Sequence, residues 1–421
     1  MRDSIADRIK NELPKPVANL IRTAGKAATE PGFKLYLVGG IVRDLLLGRQ
    51  SQDIDIMVEG DALTIAVKMS AILESKPTVH KMFGTATFRT GDYRVDLATC
   101  RSETYKHPGA LPVIKAGNIG QDLFRRDFTV NAMAACINPD HFGVLTDLYG
   151  GQQDLEKKII RVLHERSFED DATRIMRAVR YEQRLGFKLD NKTARLLRSN
   201  LDMLDSISGD RLRHEVILWL SEMHPEKILR RAARLGILEK LHPSLTWDRS
   251  MAKAYREAAS TPVQSPTVNL HLALLVYNLD KEQLKNFLLR LNIRGGELEE
   301  IARHTAALKS NQPLFDYSPL QPSEIYLKLR GFNAVAVHAN YLLTTSKHVR
   351  RNLRFYLDKL HSVRGRLNGK DLAEMGVPPG KKMGVILDRL LTARLDGEIK
   401  TRQDEEQMAV QLMQDLKSER M

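Results

Sequence analysis

Three aspartates lie in short segments of the chain where apolar and polar residues alternate. Residues two apart in a β-strand point to the same face, so Asp53 and Asp55 share one face while the intervening isoleucines enter the core. Val95 and Leu97 likewise alternate inward and leave Asp96 on the opposite face. Carboxylates side by side repel one another unless a cation lies between them, and hard oxygen ligands suit Mg²⁺. We predict that Asp53 and Asp55 bind Mg²⁺ and that Asp96 is a third carboxylate. Such a set of carboxylates could hold the metal ions that assist phosphoryl displacement. A D-x-D pair alone is more often a solvated strand face.

A glycine pair, Gly39-Gly40, ends the preceding apolar segment and opens a helical segment that contains Arg43. Backbone amides at such a helix start are donors for phosphate oxygens, and Arg43 adds positive charge. Most Gly-Gly pairs are plain turns. A phosphate-binding turn followed shortly by a metal-binding D-x-D pair is far more specific, and it indicates a site for a nucleotide.

The elements that must position these residues change character along the chain. The predicted strands and helices of the first part are, in order, 34–38, 41–47, 53–58, 62–73 and 93–97. From about residue 154 the pattern is helical almost everywhere, with apolar faces at 174–185 and 211–220. Turn-rich breaks lie at 260–267 and 376–380. The predicted fold class is α+β, with a small head of mixed β-sheet and helices followed by helical domains.

Length and composition exclude several classes of protein. The chain has 421 residues, more than one compact core accommodates, and its 43% hydrophobic and 28% charged residues exclude wholesale disorder. No apolar run approaches the roughly 18 residues of a transmembrane helix, and the amino terminus has acidic residues but no apolar segment of a signal peptide. The two cysteines, Cys100 and Cys136, cannot form a disulfide framework. We expect a cytoplasmic protein with reduced thiols and no membrane association.

The net charge of +13 is unevenly distributed. Residues 1–150 carry 19 basic and 17 acidic side chains, whereas residues 151–421 carry 46 and 35. A nearly neutral first part and a basic remainder indicate that the remainder contacts a polyanion. Charge alone does not separate this interpretation from a general role in solubility.

Six motifs resemble, in order and spacing, those of the class II tRNA nucleotidyltransferases, which are the CCA-adding enzymes and the related bacterial poly(A) polymerases. The resemblance is dense over residues 34–190 and weaker at 367–372. The motifs are Leu37–Gly48 with Asp53-Ile-Asp55, Asp96–Tyr105, Pro108–Pro112, Arg125–Met133, Asp147–Gly151 with Asp154-Leu155, and Ser167–Arg180.

The resemblance implies a role for each matching residue. Asp53 and Asp55 would hold the catalytic Mg²⁺, and Asp96 would lie near the attacking hydroxyl. The implied nucleotide-binding residues are Gly39, Gly40 and Arg43 at the triphosphate, Arg126 and Asp127 at the ribose with Asn131 within reach, and Asp171, Arg174, Arg177 and Arg180 on a helix that binds the incoming base and phosphates.

The last group also has a chemical interpretation of its own. Asp171, Arg174 and Arg177 are three residues apart, which predicts one stripe along a helix. A carboxylate accepts from an exocyclic amine and a guanidinium donates to a ring nitrogen or carbonyl, so an Asp/Arg pair accepts C and A and rejects U and G without a template. A basic stripe alone would more often be a solvated helix face.

The chain departs from the family at one place. The family commonly has Glu-Asp-Pro where this chain has Asp170-Asp171-Ala172. The pairing chemistry of Asp171 and Arg174 is retained, but the shorter Asp170 and the missing proline put the start of the helix in doubt.

The predicted function is the template-independent addition of CMP and AMP from CTP and ATP to the 3′ end of tRNA, with release of pyrophosphate. Partial enzymes that add only CC or only A share these motifs, and a poly(A) polymerase or a non-catalytic RNA-binding protein on the same fold are further alternatives. The sequence implies no protein partner.

We predict a nucleotidyltransferase head at 1–155, a neck at 156–245, a body at 246–345 and a tRNA-binding tail at 346–421. Basic residues cluster in the tail at 350–354 and 359–370. Such clusters grip RNA through its phosphates, although a solvated helix face is the alternative.

Overall fold

The structure is a computed structural model that describes residues 4–80, 84–104, 113–260, 267–316 and 320–418. The predicted motif Pro108–Pro112 and most of the predicted loop at 260–267 lie outside the described residues. The chain divides into two compact units. The first runs to Glu215 and includes Arg234–Lys240, and the second comprises Val216–Ala233 and the chain from Leu241 onward.

A seven-stranded mixed sheet organises the first unit, in the order β3-β4-β5-β2-β1-β8-β9. Only β2 and β5 pair in parallel within this sheet; the other described neighbours are antiparallel. Two small sheets pair β6 with β7 and β10 with β11. The strands are β1 Lys34–Val38, β2 Asp53–Glu59, β3 Thr78–His80, β4 Thr85–Thr90, β5 Tyr93–Thr99, β6 Arg101–Thr104, β7 Val113–Ala116, β8 Ala134–Cys136, β9 Leu145–Thr146, β10 Ile159–Ile160 and β11 Lys188–Leu189.

The two faces of the large sheet are covered differently. One face buries Ile54, Ile56 and Leu97 against helices α1 to α4, as the alternation of the strands predicts. The other face buries Tyr36 and Met57 against α5 and the chain around β8. The helices are α1 Ile5–Glu12, α2 Lys15–Ala27, α3 Gly40–Leu47, α4 Ala62–Leu73 and α5 Ile119–Phe124.

Helices dominate the rest of the chain, and the predicted α+β class is confirmed. The break predicted at 376–380 separates α20 from α21. The predicted division of the chain into head, neck, body and tail stays a prediction. The helices are α6 Gly151–Lys157, α7 Ser167–Asp170, α8 Thr173–Leu185, α9 Asn191–Ser199, α10 Gly209–Ser221, α11 Pro225–Arg234, α12 Ile237–Leu241, α13 Arg249–Ala258, α14 Thr267–Val276, α15 Lys281–Arg290, α16 Gly296–Ser310, α17 Pro322–Leu329, α18 Ala334–Leu343, α19 Lys347–Phe355, α20 Gly369–Glu374, α21 Lys381–Leu395 and α22 Arg402–Ser418.

Two of the apolar clusters that stabilise the second unit lie in its later helices. One is centred on Phe315, Leu329 and Leu353, and the other on Leu372 and Leu390. Among the described helices of the whole chain, none combines the length and apolar character needed to cross a membrane.

Candidate active site

Strand pairing brings the three predicted carboxylates to one face of the sheet. In the parallel register of β2 and β5, Asp55 lies directly beside Asp96, and Asp53 precedes Asp55 by two residues. Asp53 is exposed, whereas Asp55 and Asp96 are half-buried. The sequence therefore predicted their shared location, because strand alternation fixes the face once the register is set.

The carboxyl of Asp55 has a pKa raised above its ordinary value. Burial is the main cause, and the neighbouring carboxylates of Asp96 and Asp53 add to it, while the guanidinium of Arg126 opposes it. Three acidic groups thus lie close enough for their charges to interact. A cation between them would relieve this repulsion.

Asp96 is held in place by two neighbours. The hydroxyl of Thr87 on β4 donates to its Oδ1 at 2.5 Å, and Arg94 on its own strand forms an ion pair with its Oδ2 at 2.9 Å. These contacts fix the orientation of the carboxylate on the sheet.

The glycine pair lies at the turn from β1 into α3. Gly39 has φ 72° and ψ −128°, a conformation that favours glycine, and its amide donates to the carbonyl of Met133. A Cβ atom at Gly39 would come within 2.7 Å of Nη1 of Arg126. Position 39 therefore lacks a side chain so that the Arg126 guanidinium can approach the backbone at the start of α3.

Arg43 is placed differently from its predicted role. Its guanidinium is buried and donates from Nε and Nη2 to both carboxylate oxygens of Asp44, at 2.9 Å each, and from Nη1 to Oδ1 of Asn131 at 2.6 Å. The side chain lies behind Gly40, with Nη2 3.6 Å from where a Cβ of Gly40 would stand. Arg43 thus braces the turn from within, and triphosphate binding by Arg43 stays a prediction.

A chain of buried polar groups continues from Asn131 to the arginines of α8. The amide of Asn131 donates to Asp127 Oδ1 at 2.9 Å, and Arg177 donates to Asp127 Oδ2 at 2.6 Å and 2.9 Å. Burial acts to raise the pKa of Asp127, but Arg177 and Asn131 outweigh it, so the pKa lies below its usual value. Farther along α8, Arg180 pairs with the buried Glu215 at 3.5 Å.

Asp171 does not lie on the helix, contrary to the predicted stripe. Helix α7 ends at Asp170 and α8 begins at Thr173, while Asp171 between them is extended, with φ −144°. Its Oδ1 accepts from the backbone amide and hydroxyl of Thr173 at 2.9 Å and 2.6 Å. A short carboxylate that bonds the first amides of a helix keeps its own backbone out of that helix, which is the physical reason for the difference.

The side-chain partner of Asp171 is Arg211 on α10 rather than Arg174. Nη2 of Arg211 donates to Asp171 Oδ1 at 2.7 Å. Arg174 is buried and donates to the Ser167 hydroxyl and the Arg125 carbonyl, both at 2.7 Å. Asp171 and Arg174 are thus oriented by separate contacts before any base is bound.

Tyr181 is surrounded by three guanidinium groups. The central carbons of Arg43, Arg177 and Arg180 lie 5.4 Å, 5.4 Å and 5.2 Å from its ring centroid. Such contacts attract a cation to the negative face of the ring. The Tyr181 hydroxyl also lies 3.5 Å from Nη2 of Arg177.

These elements enclose a cavity of about 430 Å³, a volume within the range of small-ligand sites. The sheet side contributes the glycine pair and Asp55, and helices α8 and α10 contribute the tyrosine and three of the six arginines. The lining residues are Gly39, Gly40, Asp55, Arg101, Glu103, Arg125, Arg126, Asp127, Asn131, Asp170, Asp171, Thr173, Arg174, Arg177, Tyr181 and Arg211. Most predicted site residues line it; Asp53 and Asp96 flank Asp55 on the sheet, and Arg43 and Arg180 lie behind the wall.

The carboxylate oxygens on the sheet are suitable ligands for a magnesium ion. Among the described residues, no group of three or more His, Cys, Asp or Glu side chains is arranged to hold a metal ion by itself. Mg²⁺ does not require one, because it is commonly bound by one or two carboxylates together with substrate phosphates. Asp53 and Asp55 meet that requirement.

Sequence reasoning missed Arg211 and Tyr181. Arg211 lies 40 residues beyond Asp171, so no local pattern connects the two. The position of Tyr181, four residues after Arg177, was a usable signal because side chains at that spacing meet on a helix.

Of the predicted RNA-binding clusters of the tail, residues 350–354 lie on α19, and residues 359–370 run from the π-helical turn Tyr356–Leu360 to the start of α20. Arg350 donates to the carbonyl of Thr344, and Arg354 pairs with Asp358 at 3.3 Å. The contact of these clusters with RNA stays a prediction.

Known protein families match two parts of the chain. Residues 35–161 match the poly(A) polymerase head domain, and residues 186–248 match a domain described as the probable RNA and SrmB-binding site of polymerase A. The cavity draws most of its wall from the first of these parts and from the segment between the two.

Curated relatives and a solved structure extend the similarity along the chain. The A-adding tRNA nucleotidyltransferase of Geobacter sulfurreducens is 35% identical over 98% of this chain, which spans about half (49%) of that relative's length. The A-adding tRNA nucleotidyltransferase of Halalkalibacterium halodurans is 29% identical, with 97% of this chain and 95% of the relative covered. The structure of the Thermotoga maritima CCA-adding enzyme complexed with tRNA is 31% identical with a TM-score of 0.78, covering 98% of this chain and 99% of that one.

Proposed function

The chain belongs to the family of class II tRNA nucleotidyltransferases and poly(A) polymerases, and from this we propose that it adds AMP to the 3′ end of tRNA without a nucleic-acid template. The RNA 3′-hydroxyl attacks the α-phosphorus of ATP, the bond to the β-phosphate breaks, and pyrophosphate leaves. The observation that supports the proposal is one cavity lined by the strand carboxylate Asp55 and by Asp171 and Arg174.

The sheet side is suited to the triphosphate. Mg²⁺ held by Asp53 and Asp55 would supply positive charge to the phosphate oxygens. The amide of Gly40 and the guanidinium of Arg126 would add donors there, while the Gly39 amide holds the turn through its bond to Met133. Asp96, whose carboxylate is oriented by Thr87 and Arg94, would position the attacking hydroxyl.

The helix side is suited to the base. Oδ1 of Asp171 is occupied by Thr173 and Arg211, which leaves Oδ2 to accept the exocyclic amine of adenine. Arg174 presents a donor for the adjacent ring nitrogen. Because protein groups provide the complementary pattern, no template strand is required.

Two product patterns fit this site. Addition of the terminal A alone is favoured by the names of the two curated relatives. Addition of the complete CCA sequence, which the sequence analysis favoured, is supported by the Thermotoga maritima relative and by the amine that cytosine shares with adenine.

The decisive experiment uses three tRNA substrates that lack the terminal A, the terminal CA, or the whole CCA. Each is incubated with labelled ATP, labelled CTP, or both, in the presence of Mg²⁺. Whichever product pattern is correct, we expect AMP incorporation into the first substrate whenever ATP is present. CMP incorporation into the two shorter substrates is expected only if the enzyme completes CCA. A protein with Asp55→Asn serves as the inactive control.

Absence of incorporation into all three substrates would refute the proposal. Long tails of AMP on RNAs unrelated to tRNA would identify a poly(A) polymerase instead.

A further inference from the structure

Three aromatic rings form a cluster on the surface of the first unit. Phe124 is the last residue of α5, and its ring lies 4.9 Å from that of His164 with 28° between their planes. The Tyr149 ring lies 6.0 Å from Phe124 at 44°, and its hydroxyl donates to the carbonyl of Gly120. We call Phe124, Tyr149 and His164 the aromatic platform.

Phe124 is the exposed ring of the aromatic platform, while Tyr149 and His164 are half-buried. Phe124 is 48% exposed although the opposite end of its short helix is buried in the sheet core. Neighbouring Leu148 is 59% exposed and approaches Gly120 of the same helix. Adjacent exposed apolar side chains such as these two mark contact surfaces more often than isolated ones do.

The imidazole of His164 acts here as an aromatic ring. Burial is the main cause that lowers the pKa of His164, and the nearby charge of Arg174 adds to it. The ring is therefore neutral near pH 7 and stacks flat on Phe124. One face of Phe124 is supported in this way.

The aromatic platform adjoins the cavity at two points. Phe124 directly precedes Arg125, which lines the cavity, and Nε2 of His164 lies 3.7 Å from Asp170, which also lines it. The acids beside it are paired with neighbouring cations, Glu165 with Lys192 and Glu169 with Arg166. The positive charge of the adjoining cavity comes from its lining arginines, of which Arg125 directly follows Phe124.

We propose that the aromatic platform binds an unpaired base of the tRNA 3′ end by stacking on Phe124. This rests on the proposed function, since it assigns a place to the acceptor RNA of that reaction. Proteins that hold single-stranded RNA combine aromatic rings for base stacking with adjacent cations for the phosphates. The platform supplies the ring and the arginines of the adjoining cavity wall supply the positive charge, so an RNA end stacked on Phe124 would lead into the cavity.

The test compares the binding of two fluorescent tRNAs to the full chain by anisotropy at one fixed salt concentration. One tRNA lacks only its terminal A, and the other is trimmed to the end of its base-paired stem. Because binding needs no turnover, the result is independent of whether nucleotides are added. Wild-type protein that binds neither tRNA would contradict the proposed function itself.

For the longer tRNA we expect Phe124→Ala to weaken binding about fivefold or more, as for the loss of one base–aromatic stack. The trimmed tRNA should bind equally well to both proteins. Phe124→Trp should retain the affinity, whereas Phe124→Leu should lose it, since leucine keeps apolar area without a ring. Ile72→Ala is the matched control, because Ile72 is 59% exposed on α4, which covers the opposite face of the sheet.

Three results would overturn the proposal. The first is unchanged affinity of Phe124→Ala for the longer tRNA, and the second is an equal loss for both tRNAs. The third is self-association of the wild-type protein that Phe124→Ala abolishes while RNA affinity stays the same, which would make the platform a contact between copies of the chain. Thermal unfolding of each variant confirms that the fold is retained.

Discussion

The carboxylates of the sheet and the arginines of α8 contribute to the same cavity, yet their charges are balanced in opposite ways. Asp53, Asp55 and Asp96 share a strand face, and the acids next to Asp55 raise its pKa together with burial. Arg177 and Arg180 on α8 each have a carboxylate partner, Asp127 and Glu215, within the fold.

This difference separates two kinds of charged site. Carboxylates that repel one another on one face lower the stability of the native state. Their presence therefore indicates a functional role, which is to bind a cation. A set of paired charges is complete without ligand and holds the wall in one geometry. We therefore expect substitutions on the sheet to affect activity with little loss of stability, and substitutions in the paired set to affect both.

The largest effect is expected from Asp55→Asn. Loss of a metal-binding carboxylate should reduce AMP incorporation roughly a thousandfold or more, because several kcal/mol of charge stabilisation is lost. Thermal unfolding should show equal or higher stability, since a repulsive charge is removed. Asp140→Asn is the control, because Asp140 is an exposed aspartate elsewhere in the first unit. This substitution should change neither AMP incorporation nor thermal stability. A large drop in melting temperature for Asp55→Asn would contradict the contrast drawn above.

Asp127→Asn tests the paired set. Arg177 would lose its buried counter-ion, and we expect the free energy of unfolding to fall by about 2–3 kcal/mol, with allowance for the partial exposure of Arg177. Denaturant unfolding measures this, and the Michaelis constant for ATP should rise in parallel. If stability is unchanged while only turnover falls, Asp127 contacts the substrate and does not brace the wall.

Base selection should respond to Asp171→Ala and, more weakly, to Arg211→Ala. Each removes part of the arrangement that offers Asp171 Oδ2 to an amine, so the preference for ATP over UTP should fall about tenfold, the value of one hydrogen bond to a charged group. Steady-state incorporation with each of the four nucleotides measures the ratio. Arg213→Ala is the matched control, since Arg213 lies on the same helix and pairs with Asp210. An unchanged ratio with a lower overall rate would mean that Asp171 only caps α8.

The smallest effect is expected from Tyr181→Phe. The ring that attracts three guanidinium groups is kept, and the contacts of its hydroxyl with Arg177 and Arg43 are lost. We expect a change of about two- to threefold in the Michaelis constant for ATP, in line with a fraction of a hydrogen bond. Tyr181→Leu, which removes the ring as well, should have the larger effect of the two. Equal effects would mean that the ring contributes nothing beyond its hydroxyl.

The sequence predicted the sheet side of the site better than the helix side. Strands with strict alternation leave little freedom for Asp53, Asp55 and Asp96 once their segments are recognised. Helix α4 also has the predicted bounds of 62–73, since its capping aspartate and apolar face agree.

The helix side depends on contacts between distant segments, which local patterns do not contain. The prediction of a stripe failed at Asp171 because a capping contact with Thr173 ended helical backbone there. The arginine that orients Asp171 comes from α10, and the buried pairing of Arg43 with Asp44 depends on how deeply α3 is packed. Propensity and spacing determine elements, whereas such partners are set by tertiary packing.

The parallel pairing of β2 with β5 also has a consequence for how the protein folds. Parallel neighbours cannot be joined by a tight turn, and here α4 and the β3–β4 hairpin intervene before Asp96 reaches Asp55. Closing such a loop is slow, because its entropy is lost before the contacts form. We therefore expect Asp96 to join Asp53 and Asp55 late in folding, since those two share strand β2 and only Asp96 depends on the pairing with β5. Protection of the β2 and β5 amides from hydrogen exchange should appear together during refolding, after that of the helices.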